Sequence, residues 1–114
     1  MDILKRILDV IEQKDGENTV AIDMKSTTIL TDYFVITTAN SPNHMVAIRD
    51  AVVEEFEKLE QKIIYYDKDK QHEWMIVDAG DIVVHIFTKK AREFYDLESL
   101  WKNFENLRSK ETVS

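Results

Sequence analysis

The chain has 114 residues, 44% of them hydrophobic and 32% charged, with two glycines, one proline and no cysteine. That length supports a single domain with a single core, and the missing cysteine excludes disulfides, thiolate metal sites and cysteine nucleophiles, as suits a reducing compartment. A net charge of −7 repels phosphate backbones, which disfavours sequence-independent nucleic-acid binding as the main activity and favours a basic protein partner.

No apolar run approaches the roughly 18–20 residues that cross a bilayer. The start, Met1-Asp2-Ile3-Leu4-Lys5-Arg6, lacks the apolar core and cleavage site of a signal peptide, so the chain is expected to stay in the cytoplasm. Residues 2–14 carry Leu4, Ile7, Leu8 and Ile11 at helical spacing, with Gly16 beyond as a stop. Alternation over 19–24 and a β-rich run over 33–38 predict two strands. Ser41 as a cap and Pro42 at the first helical position then open a helix over about 42–61, whose apolar stripe is Met45, Ile48, Val52, Phe56 and Leu59.

A short strand is expected over 62–66 and a charged loop over 67–73. Two apolar runs, 74–77 and 82–87, flank Asp78-Ala79-Gly80-Asp81, a tight hairpin turn in which Gly80 can take positive φ. The unit from 33 to 66 should be parallel and right-handed and the later hairpin antiparallel, so the expected fold is an α/β single domain with a five-stranded mixed sheet and helices packed on it. Both hairpin strands are apolar on both faces, so something must cover each face. Thr88 can cap a helix over about 89–95, and Asp96 can restart it with Leu97, Leu100 and Trp101 on one side. The domain is expected over 1–102, and 103–114 as a frayed extension.

Candidate chemistry is sparse. Asp78, Asp81 and His85 can be written as a carboxylate and imidazole cluster, but aspartates that bracket a turn are explained by their local hydrogen bonds. Asp67 and Asp69 could hold Mg²⁺ in an active-site strand, yet here they fall in a hydrophilic loop. Residues 40–44 open a helix whose free N–H groups could receive an anion, but no glycine-rich loop or phosphate-binding lysine accompanies them. A Ser41, His44 and Asp32 triad is recognisable only by geometry. No metal, cofactor or catalytic residue is therefore assigned. More unusual is the concentration of Trp74, Phe87, Phe94, Tyr95, Leu97, Leu100 and Trp101 near the end, which fits either a core cluster or a contact surface.

These stretches resemble the ribosomal silencing factor family, also called the Iojap family. The resemblance is carried by Thr31-Asp32-Tyr33-Phe34-Val35-Ile36, by Asn40-Ser41 with His44 and Ala47-Ile48, and by Glu73-Trp74 followed by the run from Asp78 to Phe87. The segment from Arg92 to Trp101 completes it, so that roughly 2–102 is covered. Thr38-Ala39 stands where many relatives carry a glycine, and Thr88-Lys89-Lys90-Ala91 replaces a more acidic approach to Arg92.

The resemblance implies a cytoplasmic, nucleotidyltransferase-like mixed sheet without enzymatic activity. It also implies binding to ribosomal protein number fourteen of the large subunit, obstruction of small-subunit joining, and lowered translation when nutrients run short. The partner-binding residues expected on this basis are Trp74, His85, Lys89, Arg92, Tyr95, Leu97, Leu100 and Trp101. Lys89, Lys90 and Arg92 are expected, on the same basis, to reach nearby ribosomal RNA. The free protein is expected to form a homodimer, because an open apolar surface tends to find itself. The alternatives are a nucleotide-binding or nucleotidyltransferase enzyme using Asp67, Asp69, Asp78 or Asp81, and a late large-subunit assembly factor.

Overall fold

The helix α1 (Ile3–Gln13) starts where Asp2 accepts the Lys5 N–H, and turns Ile7 and Ile11 into the core. Its end falls just before Gly16, as the sequence reading has it. Asp15, not Gly16, takes the left-handed conformation (φ 61°), and the Gly16 N–H closes the helix on the Ile11 carbonyl at 3.0 Å. Glycine is required at 16 for space: a Cβ there would lie 2.4 Å from Ile11 Cγ2 and 2.6 Å from Thr37 Oγ1.

The computed structural model describes residues 2–26, 29–69 and 73–99. Leu100, Trp101 and the extension expected over 103–114 lie outside them. After α1 come β1 (Glu17–Asp23), β2 (Tyr33–Ala39), α2 (Pro42–Lys58), β3 (Tyr65–Tyr66), β4 (Trp74–Asp78), β5 (Ile82–Thr88) and α3 (Lys89–Tyr95). The sheet order is β1-β2-β5-β4-β3. Only β2 and β5 pair in parallel; the other neighbours are antiparallel, so the sheet is mixed. The strand after α2 does run parallel to β2, but β5 and β4 lie between them. A bulge in β1, with Asn18 at φ 49°, lets that strand begin earlier than its alternation suggests.

As expected, α2 opens with the Ser41 Oγ accepting the His44 N–H and with Pro42 in its first turn. It stops at Lys58 rather than near 61, because Glu60 turns left-handed (φ 57°) and Gln61 donates back to the Phe56 carbonyl. The strand expected over 62–66 shrinks to two residues, with Ile64 anchored ahead of it by donation to the Asp78 carbonyl. Gly80 does supply the positive φ of the hairpin turn (84°), and the Asp78 carboxylate accepts its N–H at 2.8 Å.

Strand alternation gives the sheet two apolar faces. On one, Val35, Met75, Val77, Val84 and Ile86 pack beneath α1 and α2, where Met45, Ile48, Val52 and Phe56 are fully buried. Each such burial is worth roughly 1.5–3 kcal/mol. The Arg6 guanidinium of α1 reaches Glu55 of α2 at 2.9 Å, which ties the two helices over this face. On the other face a smaller cluster of Ile36, Phe87 and Ala91 gathers Val20, Ile22, Trp74 and Leu97 around it. The requirement that each face be covered is thus met by α1 and α2 on one side and, near Phe87, by α3 on the other.

Candidate functional site

The second face carries a row of rings. Register places Phe34 opposite Val83, Ile36 opposite His85, Ile76 opposite His85 and Trp74 opposite Phe87. Trp74 therefore stacks on Phe87 with centroids 5.0 Å apart, and its indole reaches diagonally to the His85 ring. Phe34 meets His85 edge-on at 4.7 Å. From Trp74 the row continues to Tyr95 at 4.9 Å and on to Phe94 at 5.1 Å. It starts buried in the sheet and ends on α3 with Tyr95 50% and Phe94 80% exposed. Such an end presents large, rigid apolar area with a phenolic tip, which is the chemistry of a docking anchor.

The ring row is fixed by α3 and its cap. Thr88 leaves the sheet, donates its N–H to the Glu73 carbonyl, and accepts the Ala91 N–H on its hydroxyl at 3.1 Å. Arg92 then clamps the helix: its guanidinium donates to Glu98 at 2.8 Å and to the Thr38 hydroxyl at 2.9 Å. Asp96, left-handed at φ 44°, ends the helix and returns the chain, so that Leu97 packs inward on the Phe87 cluster.

His85 is 5% exposed. The Trp74 indole N–H can only donate, and it does so to His85 Nδ1 at 3.1 Å, so the imidazole proton sits on Nε2. Nε2 is buried and has no hydrogen-bond partner among the described residues. Burial pushes the His85 pKa down from 6.5 to about 4, against a smaller opposing pull from the Asp78 carboxylate. The ring is therefore neutral at physiological pH and acts as a packed, polar-tipped aromatic.

The catalytic readings do not assemble. His44 accepts the Asn40 N–H on Nδ1 and donates from Nε2 to the Lys14 carbonyl at 2.6 Å, while Ser41 caps α2, so both are committed away from a triad. The Asp67 carboxylate accepts from the Tyr65 hydroxyl at 2.6 Å and from the Ile76 N–H at 2.8 Å. Among the described residues no group of three or more histidines and carboxylates is placed to hold a metal, and no helix is long and apolar enough to cross a membrane.

Of the residues singled out from sequence, Trp74, His85 and Tyr95 come together in the ring row. Lys89 is exposed at the start of α3, Arg92 is held by internal partners, and Leu97 faces inward. Phe34 was missed because only the parallel β2–β5 pairing brings it beside His85. Arg49 was missed too: nearly buried on α2, it donates to the carbonyls of Asp67, Lys68 and Asp69. A basic residue inside the apolar stripe of α2 was the available signal.

The family model described as "Ribosomal silencing factor during starvation" matches residues 1–114. The chain belongs to that family. Ribosomal silencing factor RsfS of Bacillus subtilis is 32% identical over 99 residues, which cover 87% of this chain and 84% of that protein. A mouse protein named "Mitochondrial assembly of ribosomal large subunit protein 1" is 29% identical over 98 residues, 83% of this chain and 43% of the mouse protein. The fold is shared with a crystal structure of a Chromobacterium violaceum protein: TM-score 0.84, 28% identity, 90% of this chain and 88% of that one covered. The five-stranded mixed sheet with its helices is therefore the architecture of a solved relative.

Proposed function

We propose that the chain docks on the large ribosomal subunit, through its protein number fourteen, and sterically blocks joining of the small subunit, lowering translation under nutrient limitation. The observation that carries this reading is the ring row that emerges from the sheet and ends in exposed Tyr95 and Phe94 on α3. An anchor of this kind on an acidic domain suits a basic ribosomal protein as partner. The contact surface is assigned to Phe94 and Tyr95, supported from beneath by Trp74, His85 and Leu97 and extended by Leu100 and Trp101, with exposed Lys89 at its edge toward ribosomal RNA and Arg92 holding α3 in place. No catalysis is required, since occupying the surface suffices. The protein works in the cytoplasm, and in the free state the same apolar end pairs with a second copy. A nucleotidyltransferase-like architecture, which the resemblance implies, would by itself carry no activity.

A second reading, a role in assembly of the large subunit, is favoured by the similarity to the mouse protein named for that assembly. It would use the same surface. Co-sedimentation with purified subunits tests the shared step: the chain is expected to pellet with isolated large subunits and to stay in the supernatant with small ones. Equal recovery with both, or with neither, contradicts docking.

A further inference from the structure

At the edge of the sheet away from β1, an open groove of about 900 Å³ runs between the end of α2 and β3. It belongs to neither the ring row nor α3. The geometry points to a second docking site there, for an extended basic peptide segment with apolar side chains, added along the edge strand β3.

Three observations support this occupant. Ile64 and Tyr65, on and beside the terminal strand of the sheet, are 65% and 56% exposed, with Val53 and Ile63 lining the groove behind them. An edge strand flanked by apolar pockets is the platform on which extended peptides add by main-chain pairing. The charge of the lining is complementary: among the described residues it carries four carboxylates, those of Glu57, Glu60, Asp67 and Asp69, against two ammonium groups, those of Lys62 and Lys68. The segment is also held in shape before any partner arrives. Arg49 gathers the carbonyls of 67–69, the Asp67 carboxylate fixes the Tyr65 hydroxyl, and the Gln61 side-chain amide donates to the Ala79 carbonyl at 3.0 Å. Preorganisation of this kind lowers the ordering cost of binding.

Fluorescence anisotropy with a labelled heptapeptide that alternates lysine or arginine with valine and isoleucine tests the proposal on the full chain. Saturable binding is expected, weakened roughly tenfold by Glu57→Lys with Glu60→Lys and to a similar extent by Ile64→Ser. The same charge change placed elsewhere, Asp9→Lys with Glu12→Lys on the exposed side of α1, should leave affinity within about twofold. Two-dimensional NMR of the titration should move the amides of 61–69 and leave the Trp74 indole N–H in place. Absence of binding, equal weakening by both charge pairs, or shifts centred on Trp74 would overturn it. So would self-association, by light scattering, that Ile64→Ser abolishes, since the groove would then hold a second copy. None of these outcomes depends on ribosome binding through α3.

Discussion

Acidification from about pH 7 to about pH 4.5 is expected to cost the wild-type chain about 2–3 kcal/mol more stability than it costs a His85→Phe variant. The native imidazole holds its pKa near 4 and an unfolded one near 6.5. Between those values the unfolded chain binds the proton and the folded chain does not. The contribution of neutral His85 is therefore fully present above about pH 6.5 and is lost as the pH falls toward 4. Phenylalanine retains an aromatic ring between Phe34 and Trp74 but cannot titrate. It leaves the Trp74 indole N–H without its acceptor, a cost that does not vary with pH and so cancels from the comparison. Chemical denaturation of both proteins across the pH range checks it. Parallel curves would mean that the imidazole takes up its proton as readily in the fold as in the unfolded chain.

Replacing Phe94 and Tyr95 together by serine should weaken binding to the large subunit by about 3 kcal/mol, roughly a hundredfold in Kd, because large aromatic anchors dominate such interfaces. The fold should tolerate the change. Phe94 is 80% exposed, and Tyr95 gives up chiefly its contact with Trp74, so a loss below about 1.5 kcal/mol is expected. Co-sedimentation at graded concentrations, with thermal denaturation of the same samples, separates the two effects. Undiminished binding by a folded double variant would remove α3 from the docking surface.

The elements with local chemical signatures were legible in the sequence. Ser41-Pro42 and the stripe that follows mark α2, Gly80 marks the hairpin turn, and Thr88 caps α3 at the position its hydroxyl suggests. What escaped depended on contacts distant in sequence. Nothing near Gly16 reveals that Thr37 will press against it, or that Asp15 will take the left-handed turn before it. The strand before the charged loop looks longer than two residues because Ile63 and Ile64 continue its apolar character, but only Tyr65 and Tyr66 join the ladder. At the site, the cluster of late aromatics was visible, but its order was not. The parallel pairing of β2 with β5 sets Phe34 against His85, and the register of the hairpin puts Trp74 within reach of Nδ1. The basic knot at 89–92 also divides in the fold, with Lys89 and Lys90 exposed and Arg92 clamped to Thr38 and Glu98.

Subunit joining tests the central claim most directly. Purified small and large subunits mixed at a magnesium concentration that favours association should form fewer joined ribosomes on sucrose gradients as the chain is added. The effect should saturate near one chain per large subunit and be absent with the Phe94→Ser, Tyr95→Ser protein. Joining that proceeds unchanged with the chain bound to every large subunit would contradict steric silencing.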